Sequence, residues 1–319
     1  MRCAKRVVAS QQGQVLVMFA AGLVAFCGLL GMSVDVGRLV YTRTDLQKAA
    51  DAAALAGAQD LAQSYADTSA ARAAANRYAA LNAPGTSATV TFSSRSRAND
   101  VVNVTIHRHL DTFFLRVVGL MSFDPVASAS AYGGAAASVQ SGGGMAVMPW
   151  AINNDAFTRY GVTVGLQPAN AGGGAGSYNL VSINSPNGQS YADAVARGVT
   201  AAIVAGGRYP TNRFDGSKFS PATLNAMQAR ISSRPGETSG SFKQGSPRVV
   251  FVPVVDGGIP DPPTPVKILT FRAFFLERTD ARHNVIYGEF VEANVPAGGV
   301  PAPGQTVPDL GVHIIALLK

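Results

Sequence analysis

Apolar and polar positions follow three regimes along this chain. The first is a continuous apolar run. Residues 15–34 read VLVMFAAGLVAFCGLLGMSV and carry no charge. As a helix, at about 1.5 Å per residue, the run is roughly 30 Å long, the thickness of a bilayer core. Ten of its twenty residues are Leu, Val or Phe, which gives roughly −3 to −6 kcal/mol of insertion free energy. A buried core helix is usually shorter or has a polar face, so the pattern predicts a transmembrane helix.

The second regime is helical. Residues 37–63 hold almost no helix breaker and a dense run of alanine, the best helix former. Leu39, Leu46 and Ala53 recur every seven residues, and Ala49, Ala50, Ala56 and Gly57 keep the seam narrow. Asp45 and Lys48 lie three apart and can pair on the outer face. The pattern predicts one helix rising from the membrane. Its seam either receives a partner helix or packs on the chain's own domain. Residues 69–81 form a second alanine-rich helix, stopped at Pro84-Gly85.

The third regime is alternation. ATVTF (88–92), VVNVTIH (101–107) and VASASAY (126–132) read as half-buried strands. Residues 112–118 read as a short helix. GGAAASVQSGGG (133–144) has almost no large apolar residue and reads as a linker. Beyond it, GVTVGLQ and YNLVSIN predict strands, 191–204 a helix closed by Gly206, and 221–231 a helix with Ser220 as N-cap and Pro221 in its first turn. Four strands follow, at 249–255, 266–276, 285–291 and 312–318. Helices and strands do not alternate regularly, so the expected class is α+β with a mostly antiparallel sheet. The expected layout is a leader (1–14), a span (15–34), a stalk helix with a small α+β module (35–132), a linker (133–146) and a second α+β domain (147–319).

The N-terminus raises the question of processing. Arg2, Lys5 and Arg6 precede Gly13 and the apolar run, the order of a leader cut after glycine. Pilin-like subunits resemble one another in a glutamate five residues beyond that cut; here the position is Met18. The expectation is that Gly13 stays joined to Gln14. A secretory signal would have an apolar region of about 7–15 residues, shorter than this one, although the small pair Gly31 and Ser33 offers a site for a signal peptidase and keeps that reading open. A lipoprotein site needs small residues before its cysteine, and Phe26 precedes Cys27. Three basic residues flank each end of the span, so the positive-inside count is tied. Asp35, Asp45 and Asp51 beside Arg38, Arg43 and Lys48, together with the short leader, place the N-terminus in the cytoplasm.

The residues after the span carry a resemblance. SVDVGRLVYTRTDLQKAADAAALAGAQDL (33–61), preceded by the GQ before the span, resembles the N-terminal segment of TadG-like proteins of the Tad (Flp) pilus-assembly system. VNVTIHRHLDTFFLRVVGL (102–120) and VASASAY look like its continuation. Two later pieces, PGETSG (235–240) and PRVVFVPVVD (247–256), resemble C-terminal parts of such proteins. The resemblance implies a bacterial inner-membrane protein with one N-terminal span, an exported C-terminal part and no catalytic residue. The partners it implies are the membrane, other Tad components, or a second copy through the stalk helix.

Charge and candidate chemistry change this picture little. The net charge of +7 is spread along the chain, with no basic run to mark a nucleic-acid surface. Charged residues make up only 14%, against the usual quarter, and Ala, Gly, Ser, Thr and Val fill the deficit. The two cysteines, Cys3 and Cys27, leave nothing after residue 27 to form an internal disulfide. His107 and His109 share a strand face, as a solvent-facing pair or as the start of a zinc site, but no cysteine lies near and His283 and His313 are far away in sequence. GGGAG (172–176) lacks the Lys and Ser/Thr of a phosphate loop. DGSKF (215–219) begins like the D-x-S-x-S metal site of von Willebrand factor A-like domains, but Phe219 replaces its second serine. Asp256 and Asp261 fit a turn as well as a calcium site. No G-x-S-x-G, H-E-x-x-H or C-x-x-C occurs. No catalytic, cofactor or metal residue is therefore assigned. The leading function is a non-enzymatic assembly or secretion factor. The alternative is an exported ligand- or carbohydrate-binding module, for which Trp150 is the one tryptophan available.

Overall fold

The computed structural model describes residues 12–64, 67–153, 159–168, 177–183, 188–212, 220–255 and 264–318. Helix α1, Gln12–Gln63, runs unbroken for 52 residues. Side chains 15–30 are all exposed. Among the described helices, α1 is the one long and apolar enough to cross a membrane.

The second part of α1 changes character because it meets the rest of the chain. Leu46, Ala49, Ala50, Ala53, Ala54, Ala58 and Leu61 are fully buried. They pack with Ala71, Ala75 and Ala79 of helix α2, Thr68–Asn82, and with Val102, Val104, Ile106, Ala127, Ala129 and Ala131 of a sheet. The Asp67 carboxylate caps α2 by accepting the N–H groups of Ser69 and Ala70 at 2.9 and 3.2 Å. The seam is thus covered by its own chain: of the two readings, packing on the chain's own domain is the one observed, and not docking of a partner helix. The small side chains let α1, α2 and the sheet approach closely, which is where their packing enthalpy comes from. Asp45 and Lys48 pair at 3.5 Å on the outer face, as the spacing predicts.

That sheet has five strands, ordered Ser87–Ser93, Val101–His107, Val126–Ala135, Val312–Leu318 and Ala293–Asn294. The last segment of the chain therefore returns to the first module. Its register runs from His313 opposite Ala135 to Leu318 opposite Ser130. The linker reading of 133–146 fails here. Gly133 to Ala135 extend a strand, residues 133–137 are buried, and Ser138–Val139 pairs with both Ile203–Val204 and Gly298–Gly299. The stretch is small because it is close-packed. A second tie joins the first module to the later part of the chain: the Arg95 Nε–H donates to the Pro301 carbonyl at 2.6 Å, and the Gly304 N–H donates to the Arg95 carbonyl at 2.8 Å.

The larger sheet has nine strands, most of its pairs antiparallel. Val249–Val255 pairs on one side with Val266–Asp280 and on the other with Trp150–Asn153. Following the ladder through Val285–Val291, Thr163–Pro168 and Ser177–Ile183 leads back to Trp150–Asn153, so the pairing closes on itself and hides its edges. Every residue of VVFVPVV is buried. Val250, Val252 and Val254 join Trp150, Phe274 and Phe290 in one core, where helix α4, Pro221–Ser232, inserts Leu224, Met227 and Ile231. Val249, Phe251 and Val255 face a second core shared with Tyr132, Val312 and Ile314 of the smaller sheet. The fold is α+β, with α1 and α2 on one side of the small sheet.

Some boundaries differ from expectation. Helix α3 spans Tyr191–Arg197 and not 191–204, because Gly198 takes a left-handed φ of 88° and its N–H closes on the Ala194 carbonyl. Gly206 caps no helix; its N–H donates to Ile268. The strand expected at 266–276 runs on to Asp280 through a bulge between Leu276 and Arg278.

Candidate functional site

The most specific polar arrangement lies where the apolar part of α1 ends. Asp35 follows the span directly, and its side chain is buried. Its carboxylate accepts the backbone N–H groups of Phe113, Phe114 and Leu115 at 2.9, 2.8 and 2.8 Å. Those groups open a one-turn 3-10 helix, Leu115–Val118, whose own N-cap residue, Phe114, supplies no side-chain acceptor. Asp35 supplies it from another element. Burial opposes ionisation of Asp35, but the three N–H bonds and the nearby Arg38 guanidinium prevail and hold its carboxyl below the usual range.

Neighbouring contacts fix the same loop. The Arg38 guanidinium donates to the Asp111 carbonyl at 3.1 Å and sits 4.3 Å over the Phe113 ring. The Thr112 hydroxyl reaches the carbonyls of Leu120 and Met121, and Leu110–Asp111 pairs with Ser122–Phe123. Gly119 closes the turn with φ 88°. Gly31, inside the span, faces Phe114: a Cβ there would fall 2.5 Å from the ring. The Asp and Arg of VDVGR thus act as a clamp on the LDTFFLRVVGL loop. Both stretches stood out in the sequence, but their contact, across 78 residues, has no sequence signal.

The other sequence candidates are dispersed. His107 ends a strand and is exposed, on the face opposite buried Val102, Val104 and Ile106. His109 bonds Asp124 at 2.8 Å and lies 3.6 Å from Asp111; the Asp124 bond and charge raise its pKa. His283 bonds Asp280, and His313 bonds Asp309. Among the described residues, no three His, Cys, Asp or Glu side chains form a group that could hold a metal. Trp150 is a core residue, fully buried, and does not face an open binding surface. Arg248 reaches the carbonyls of Arg234 and Glu237, which ties the 235–240 piece to the buried strand after it. The leader to residue 11, GGGAG (172–176), DGSKF (215–219), Asp256 and Asp261 lie outside the described residues.

Among the described residues, this geometry shows one helix long and apolar enough to cross a membrane, and that helix continues into a folded α+β body. Residues 13–60 match the family model described as putative Flp pilus-assembly TadE/G-like, covering the span, the clamp residues and the buried seam. Neither curated proteins nor solved structures gave a match.

Proposed function

We propose that this chain is a single-pass, inner-membrane protein that serves Tad/Flp-type pilus assembly or secretion through protein contacts of its exported part. The N-terminus lies in the cytoplasm, and the body from Asp35 onward lies in the periplasm. The observation that carries the reading is the coincidence, in residues 13–60, of the Tad family match with one helix that is bare and apolar first and packed second. The role is non-enzymatic: the buried carboxylates and arginines described above are engaged in holding the backbone, as Asp35 and Arg248 are. Partner contacts fall on faces other than the seam, which the chain's own sheet covers. Deleting the gene should abolish pili, and the full-length chain should restore them. A deletion strain that still assembles normal pili overturns the assembly role. Alkaline phosphatase fused after Gly144 should be active, and activity of a cytoplasmic reporter there instead would reverse the orientation.

A further inference from the structure

The clamp presents an apolar loop beside the end of the span. Phe113 is 61% exposed, Val117 86%, Val118 71% and Met121 60%. Such a cluster, largely uncovered among the described residues and continuous with an exposed apolar helix, marks an interaction surface. Its position selects the partner. Phe114 packs on Gly31, three residues inside the span's last residue, Val34, which at 1.5 Å per residue is about 4–5 Å below the exit. Basic groups edge the same site: Arg38 and Arg108 line one cleft, and Arg116 lies on the loop. Apolar side chains at that depth with cations at the rim are the layout of a segment lying in the interface of a bilayer.

We propose that residues 113–121 form a second membrane contact, a loop whose Phe113, Val117, Val118 and Met121 enter the leaflet at the exit of α1, with Asp35 setting its depth. The proposal rests on the reading of α1 as a membrane anchor. It gives the body a fixed tilt and height on the membrane, because a helix and a loop hold a surface where one helix leaves it free to swing.

The test uses the full chain with Cys3 and Cys27 replaced by Ser, reconstituted in phosphatidylcholine–phosphatidylglycerol vesicles. An environment-sensitive thiol fluorophore is placed in turn at Val117→Cys, Leu23→Cys and Tyr78→Cys. Leu23 lies within the span, and Tyr78 lies exposed on α2. Nitroxide-labelled acyl chains should quench the probes at positions 117 and 23 and spare the one at 78, while aqueous iodide should quench only the probe at 78. If position 23 meets the lipid quencher and position 117 meets iodide, the loop proposal falls and the anchor stands. If position 117 is shielded from both quenchers, a protein covers the loop and the proposal also falls. If position 23 meets no lipid quencher, the anchor reading fails first and the loop proposal with it.

Discussion

Gly133 lies against the backbone of Ala58 so closely that a Cβ at position 133 would overlap the Ala58 carbonyl oxygen. The contact joins the middle of a sheet strand to the buried part of α1. A methyl group there must push the helix off the sheet, because the obstacle is backbone and not a flexible side chain. Gly133→Ala should therefore cost about 1–3 kcal/mol, read as a melting temperature lower by roughly 2–12 °C for the detergent-solubilised chain. Gly240→Ala is the control, since nothing lies within 4 Å of its Cβ position. Equal melting of the two variants would show that helix and strand are not in contact.

Ala53 tests the seam itself. It is fully buried among α1, α2 and the small sheet. Ala53→Leu adds a large side chain where no space exists and should destabilise the isolated chain by about 1–3 kcal/mol. Ala73→Leu, at an exposed position of α2, should stay within about 0.5 kcal/mol. The readout is thermal unfolding of the purified chain with no other protein present. If Ala53→Leu unfolds like the parent chain, the seam is open and a partner helix regains its place there.

These two residues also mark what the sequence makes legible. The span, the breaker-free course of α1, the N-cap Ser220 and the strand VVFVPVV follow from hydropathy and local propensity, and the fold has them. The covering of the seam does not follow, because small residues suit any close neighbour, whether a partner helix or a sheet brought back from elsewhere in the chain. The stretch 133–144 misleads for the same reason. Glycine, alanine and serine compose both a solvated linker and a strand pressed on a helix, and only the burial of Gly133 to Ala137 distinguishes them. The clamp was half legible. Asp35 and the TFFL loop each stood out, but their meeting depends on a fold that brings residues 78 apart in sequence together.

Asp35→Ala should release the 113–121 loop while leaving the rest of the fold in place. Three N–H groups lose their acceptor, and Phe114, the N-cap residue of the 3-10 turn, supplies none. Trypsin cleavage after Arg116 should accelerate severalfold, with cleavage in α2 unchanged. Asp35→Asn should fall between the parent and Ala, because the amide oxygen can still accept but carries no charge. The same logic sets a pH dependence. The carboxyl's pKa is depressed in the folded state, so the protection is present above the unfolded-state value and is lost as pH falls through the folded one. Loop cleavage with an acid-tolerant protease of matched specificity should therefore rise toward low pH in the parent and stay flat in Asp35→Ala. Cleavage indifferent to both the substitution and pH would remove Asp35 from the role of clamp.

His109 makes the opposite prediction. Its bond to Asp124 and that carboxylate's charge raise its pKa above the ordinary histidine value, with Asp111 adding to the effect. A raised folded-state pKa stabilises the fold fully below the unfolded value, and the contribution is lost as pH rises through the folded one. The ring signals of His109, followed by NMR in specifically labelled chain, should titrate later than an unperturbed histidine. Asp124→Asn removes the first cause and should bring the midpoint back toward the ordinary value. Asp111→Asn, whose oxygen lies 3.6 Å away, should move it less. The group is exposed, so the effect on global stability should be small and screened by salt, and the midpoint itself is the quantity to measure. An unchanged midpoint in Asp124→Asn would mean that His109 and Asp124 do not pair, and that the short strands flanking the 113–121 loop are held together without them.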